Sequence, residues 1–367
     1  MNILIALLCL CTSFCFANDT TLDLRIPVVD MRDFYDQEKR EAFLDTLHKA
    51  MTEIGFFAVR NTGVDGNTLH EAYNEAQLFF KNDIQTKLSC QTTGTKGQRG
   101  FVQSECAKGN TIKDYKEYYH IGREGLVGQP PNIWPSNPAF KTSLVSLYNE
   151  LDRYVVPLQQ AIVAVINAHT EQKLSVDFFN DMTAQGDTLL RALYYPALSK
   201  NELEEMTQPL FWAVAHTDID LLAILPYATA RGLQVELNGV WLNVVVPEDA
   251  FVINVGDMLE NITNGLFVSA RHRVLAQDPD TERFSMVLFV HPVNDADLTP
   301  LACCIEQTGG VQRYAGGTRK EFLWERLLEL GIAPGLLEEY AKTGHTERQI
   351  AYNRQSPQVV KMLRDRS

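Results

Sequence analysis

From Leu189 to His291 the chain is written in short β-prone runs separated by turns. The runs are Leu189–Tyr195, Phe211–Ala215, Leu221–Leu225, Leu233–Leu237, Phe251–Val255, Arg273–Ala276 and Phe284–His291. Asn238-Gly239 between two apolar stretches is a hairpin signal, because both residues tolerate the left-handed backbone of a two-residue turn. Many short strands punctuated in this way predict a sandwich or jelly roll.

The flanks follow a different period. Arg25-Ile26-Pro27-Val28-Val29-Asp30 reads as an opening strand. Glu38 to Ile54 carries Phe43, Leu44, Leu47, Ala50, Met51 and Ile54 on one helical face, and Gly55 suits the end of that helix. Phe56-Phe57-Ala58-Val59 is a short buried strand, and a second helix spans Thr68 to Phe80. Gly94 to Gly100 is a flexible loop without phosphate-loop spacing. Lys141 to His169 is a long amphipathic helix in which Pro157 should introduce a kink. After Gly317 the pattern turns helical again. The predicted fold is mainly β with flanking helices: a helical N-terminal region, a β core and a C-terminal helical cap.

The 367 residues, 45% hydrophobic and 22% charged, are enough for a large globular core. A net charge of −13 argues against general nucleic-acid binding, which needs clustered cations, but leaves room for a locally basic pocket. Ile3 to Ala17 is an apolar run too short for a comfortable membrane span. It is read as a signal peptide over residues 1–17, and the expectation is an exported protein, periplasmic or secreted, with no stable membrane association after cleavage. A buried N-terminal strand or helix in a cytoplasmic protein is the alternative. Of seven cysteines, Cys90, Cys106, Cys303 and Cys304 lie beyond the leader, and none forms a Cys-x-x-Cys pair.

His216-Thr217-Asp218 sets an imidazole and a carboxylate at i and i+2, so in an extended segment both leave one face. With His272 they make two histidines and one carboxylate, the facial triad of non-haem iron(II), which leaves three metal positions open. Arg283-Phe284-Ser285 repeats the i, i+2 spacing in an apolar strand. There a guanidinium needs an anion, and its fork suits a carboxylate.

Taken in order, these motifs resemble the iron(II)/2-oxoglutarate-dependent dioxygenases, in the branch that includes isopenicillin N synthase. The resemblance rests on Ile26-Pro27-Val28-Val29-Asp30, Gly55-Phe56-Phe57, Asp114-Tyr115-Lys116-Glu117, Tyr194-Tyr195-Pro196, His216-Thr217-Asp218, Gly232-Leu233-Gln234-Val235, Asn254-Val255-Gly256-Asp257, Thr263-Asn264-Gly265, Ser269 to Val274 and Arg283-Phe284-Ser285. It implies a double-stranded β-helix (jelly-roll) core with His216, Asp218 and His272 as ligands of Fe(II). It further implies Arg283 and Ser285 on the distal carboxylate of 2-oxoglutarate as cosubstrate, with O2, and Tyr195 as a further cosubstrate contact. Phe289 and His291 match positions that line the substrate pocket. The implied segments are an N-terminal dioxygenase region over 25–135, a linking helical region over 136–188, the jelly-roll core over 189–295 and a C-terminal helical extension over 296–367. The chain departs from the family at Leu193, where relatives often carry an Asn that contacts the cosubstrate.

The activity this implies is oxidative decarboxylation of 2-oxoglutarate coupled to hydroxylation, desaturation or cyclisation of a small organic substrate. Two alternatives remain beside it. One is an oxidase like isopenicillin N synthase, in which the Arg/Ser pair holds the substrate's own carboxylate. The other is a non-catalytic binding protein on the same scaffold.

Overall fold

The structure, a computed structural model, describes residues 22–91, 97–103, 114–205 and 211–365. The proposed leader, Cys106 and residues 94–96 of the glycine-rich loop lie outside the described residues. Among the described residues no helix is long and apolar enough to cross a membrane.

The strands, in chain order, are β1 (Asp23–Arg25), β2 (Val28–Asp30), β3 (Phe56–Arg60), β4 (Gly100–Val102), β5 (Glu117–Gly122), β6 (Leu189–Tyr195), β7 (Phe211–His216), β8 (Leu222–Leu225), β9 (Leu233–Leu237), β10 (Val240–Val245), β11 (Phe251–Val255), β12 (His272–Leu275) and β13 (Arg283–Val290). They build two sheets. The smaller runs β1-β10-β9-β12-β7 and the larger β2-β3-β11-β8-β13-β6-β5-β4. The last eight strands split evenly between the sheets, four in each. That division is the double-stranded β-helix, and the leading strands extend its edges. Asn238 and Gly239 both have positive φ, 51° and 78°, and close the β9–β10 hairpin at the expected place.

The opening strand is two strands, not one. Pro27 cannot donate to a ladder, and the chain changes sheet around it: β1 pairs parallel with β10, and β2 parallel with β3. The Pro27 carbonyl accepts from the Ala58 N–H at 2.8 Å.

Side-chain parity positions the site. On β13 the even residues Phe284, Met286, Leu288 and Val290 join the core formed with the helices, while Val287 packs with Leu193, Tyr195 and Trp212 inside the barrel. The helical layer is led by Pro138–Ala168, with Gly66–Phe80 and Arg40–Lys49 beside it. The long helix continues through Pro157. Among the described residues, the chain from Thr318 onward forms Arg319–Glu329, a 3-10 turn at Pro334–Leu336 and three shorter α-helices.

The predicted helix to Ile54 is α-helical from Arg40 to Lys49 and widens to a π turn over Ala50–Ile54. Gly55 ends it at φ +74°, its N–H donating to the Ala50 carbonyl at 2.8 Å. A Cβ on Gly55 would sit 2.1 Å from the Val268 carbonyl oxygen. Gly55→Ala is therefore expected to cost roughly 2–4 kcal/mol of unfolding free energy, from left-handed backbone strain and overpacking together. Urea denaturation of the purified protein measures this, and a loss below about 1 kcal/mol would mean the Val268 segment yields freely.

Candidate metal centre and cosubstrate pocket

His216 ends β7 and His272 begins β12, and the two are direct cross-strand partners in the smaller sheet. Their rings lie 4.4 Å apart between centroids. Asp218, just beyond β7, completes the group: Oδ1 is 3.6 Å from His216 Nε2 and Oδ2 is 3.6 Å from His272 Nε2. One donor atom from each of the three lies within 4.8 Å of the others.

The second ring nitrogens explain why these donors converge. His216 Nδ1 lies 2.6 Å from the Val214 carbonyl and His272 Nδ1 lies 3.1 Å from the Ala270 carbonyl. A carbonyl only accepts, so both Nδ1 atoms carry the proton and both Nε2 lone pairs point at the shared centre. Asn254 Nδ2 donates to Asp218 Oδ2 at 2.9 Å and fixes the carboxylate's orientation. This donor set, two imidazoles and one carboxylate with room beside them, fits iron(II).

Burial and the neighbouring His272 hold the His216 pKa down to about 4, so the ring is neutral at ordinary pH. Burial alone would raise the Asp218 pKa, but the two histidines and Asn254 outweigh it and keep the carboxyl below its usual range.

Arg283 and Ser285 project from β13 into the barrel and are both buried. Arg283 Nη1 donates to Ser285 Oγ at 3.0 Å, and Nε donates to the Ala230 carbonyl at 3.1 Å. The guanidinium lies 4.9 Å from the centroid of the Tyr195 ring, directly across the strand pair. One narrow cavity of about 50 Å³ is lined at once by His216, Asp218 and His272 and by Arg283, Ser285 and Tyr195. Leu193 lines the same cavity, opposite Ser285, and offers no polar atom there.

A second cavity of about 150 Å³ opens beside His216 and Asp218. Phe289 lines both cavities and His291 the second, as their parity with Arg283 and Ser285 implied. Its apolar wall includes Ile219, Leu323, Leu327 and Leu330, and its polar wall includes Lys116, His120 and Arg191. Arg191 Nε donates to His120 Nε2 at 2.6 Å, while His120 Nδ1 faces the Gly97 carbonyl at 2.8 Å. Lys116 pairs with Asp114 at 2.7 Å.

Several of these residues carried no role in the sequence reading. Asn254 and Asp257 belong to a quoted motif, but only the structure shows Asn254 on Asp218. Arg191 had a usable signal: it is a charge at the inward parity of a buried strand, in step with Leu189, Leu193 and Tyr195. Arg326, far along in the C-terminal extension, had none. Asp220 is fully buried, and neither of its carboxylate oxygens has a hydrogen-bond partner among the described residues. Burial, then the charges of Asp218 and Asp257, push its pKa well up.

Comparison with known proteins places this geometry. The family described as the 2OG-Fe(II) oxygenase superfamily matches residues 186–292, and the family described as non-haem dioxygenase in morphine synthesis N-terminal matches residues 26–137. The solved structure of a 2OG-Fe(II) oxygenase family protein from Caulobacter crescentus is 31% identical, with a TM-score of 0.71 over 82% of this chain and 98% of that one. The chain belongs to the 2OG-Fe(II) oxygenase superfamily. Among curated relatives, an oxoglutarate-dependent flavonoid 7-O-demethylase from Ocimum basilicum is 29% identical over 77% of this chain and 72% of its own. Thebaine 6-O-demethylase from Papaver somniferum is 28% identical over 76% and 75%. This superfamily member is an iron(II)- and 2-oxoglutarate-dependent dioxygenase, an oxidoreductase.

His291 supplies a pH test of the site's burial. Burial and the positive Arg319 nearby hold its pKa down to about 3, and its Nδ1 lies 3.2 Å from the Phe289 carbonyl. In the unfolded chain the ring takes up a proton near pH 6.5, and in the folded chain it stays neutral. Its share of stability is thus whole above about pH 6.5 and is lost progressively as pH falls towards 3. His291→Asn keeps a donor for the carbonyl but cannot titrate. Between pH 6.5 and 4.5 the metal-free wild type is expected to lose roughly 2 kcal/mol more than this variant. Parallel denaturation curves at the two pH values would show it, and equal slopes would place His291 in contact with solvent.

Proposed function

We propose that His216, Asp218 and His272 hold iron(II), and that Arg283 and Ser285 take the distal carboxylate of 2-oxoglutarate beside Tyr195. The outer cavity then receives a small organic substrate whose C–H bond is oxidised. The single observation that carries this reading is the shared cavity, which joins the three metal donors to a buried, pre-oriented guanidinium. When bound, iron and 2-oxoglutarate activate O2, one oxygen atom passing to the substrate and the other to succinate, with a carbon lost as CO2.

The protein's own part is placement. The Ala230 carbonyl and Ser285 Oγ set the plane of the Arg283 fork before any ligand arrives, so little ordering is left for binding. Val287, Leu225 and Leu233 make part of that inner cavity's wall apolar, which strengthens the charge pairing. In the outer cavity Leu323, Leu327 and Leu330 suit an apolar body, while Arg191 and His120 suit a polar or anionic end. Phe289 lines both cavities and His291 the outer one, and both are assigned as substrate contacts. The O-demethylases among the relatives make hydroxylation of an O-methyl carbon one concrete form of the reaction. The 2-oxoglutarate-dependent relatives support this reading over the oxidase alternative.

His272→Ala is expected to reduce bound iron from one per chain to almost none, read by metal analysis of anaerobically loaded protein. Retention of stoichiometric iron would sink the ligand assignment. Arg283→Lys keeps the charge and loses the planar fork. Loss of a charge-assisted contact of roughly 1.5–3 kcal/mol weakens 2-oxoglutarate binding about 10- to 100-fold. Anaerobic calorimetry on iron-loaded protein reads that change, with iron affinity unaltered. An Arg283→Lys protein that binds 2-oxoglutarate as tightly as the wild type would overturn the assignment of Arg283 to the distal carboxylate.

A further inference from the structure

The C-terminal helix Arg319–Glu329 starts on a capping box formed by Thr318 and Glu321 and lays Leu323 and Leu327 against the outer cavity. From the same helix Arg326 lines the cavity as well and reaches on to the metal loop. Its Nη2 donates to Asp257 Oδ2 at 2.7 Å and its Nη1 to the Thr217 carbonyl at 3.3 Å. Thr217 is the residue between His216 and Asp218.

Asp257 gathers the rest of this loop. It accepts from Thr217 Oγ1 at 3.1 Å and from Ser269 Oγ at 2.7 Å, and its own N–H donates to the Asp218 carbonyl at 2.7 Å. The Arg326 side chain is only 9% exposed, and its Nε lies 3.4 Å from Glu329.

A planar fork held on two acceptors fixes both of them together. Lifting the helix would strip the guanidinium from a largely buried carboxylate, which is strongly unfavourable. The helix and the metal loop are therefore bound into one unit.

We propose that Arg326 is a positioning residue. It fastens the helix that walls the substrate cavity onto the loop carrying His216 and Asp218, so that iron is held tightly only while that wall is seated. The inference rests on the assignment of His216, Asp218 and His272 as iron ligands. Arg326 acts through Thr217 and Asp257, whose hydrogen bonds orient the loop, and supplies no donor atom itself.

The test uses the full chain as wild type, Arg326→Gln, Arg326→Lys and Asp257→Asn. Iron(II) affinity of the metal-free protein is measured by anaerobic calorimetry, and melting temperature alongside it. Arg326→Gln is expected to bind iron about tenfold more weakly, the size of effect seen when partners behind metal ligands are removed. Arg326→Lys should recover part of this, since it keeps charge but not the fork. Asp257→Asn, which leaves the helix its apolar packing, should lose iron affinity by a similar factor, and the double variant should lose little more.

A folded Arg326→Gln protein with wild-type iron affinity and only a lower melting temperature overturns the inference, because Arg326 would then serve packing alone. If that variant does not fold, Asp257→Asn decides, and unchanged iron affinity there overturns the inference equally. His272→Ala run in parallel tells the two failures apart: if it too binds iron like the wild type, the ligand assignment has failed.

Discussion

Every inward side chain of β13 is flanked along the strand by outward ones that a helix must cover. Phe284, Met286, Leu288 and Val290 face the helical layer, and Arg283, Ser285 and Val287 face the barrel. A strand buried on both faces cannot slip by one residue, because the slip would drive Arg283 into the apolar core and expose Phe284 to the cavity. The long helix Pro138–Ala168 and its neighbours thus do more than cover a sheet. They fix the register on which the cosubstrate pocket depends, and through β6 they fix Tyr195 and Arg191 on the same face.

The metal loop is held by a different kind of force. Asp218, Asp220 and Asp257 lie close together in a buried stretch, and three ionised carboxylates there would repel strongly. The structure answers in three ways. Asp218 faces two histidines and Asn254, Asp257 meets Arg326, and burial raises the pKa of Asp220. Gly256 belongs to this arrangement, since a Cβ there would lie 2.2 Å from Asp220 Oδ1.

The acidity of the whole molecule and the character of its interior are separate matters. A net charge of −13 keeps the surface negative, yet Lys116, Arg191 and Arg283 all line the inner cavity. In a low-dielectric enclosure a few fixed cations outweigh distant surface charge that water and salt screen. An acidic enzyme can therefore bind an acidic cosubstrate, and the dicarboxylate named by the family is compatible with the composition.

Much of this was legible along the chain. The strand runs after Leu189, the Asn238-Gly239 turn and the i, i+2 pairs at His216/Asp218 and Arg283/Ser285 are local, because strand parity is a two-residue rule that needs no partner. The family likeness joined these pieces in order. What the sequence alone could not decide is who meets whom across the fold. Nothing near Pro27 announces that the strand through it divides between two sheets. Nothing near Arg326 announces that it reaches Thr217, over a hundred residues earlier, and Asn254 reads as strand interior until β11 is set beside the metal loop. Local chemistry fixes which groups can bind a metal. Only long-range packing brings His272 to 3.6 Å from Asp218 and presses a C-terminal helix against their loop, because those distances are set by strands and helices that share no local signal.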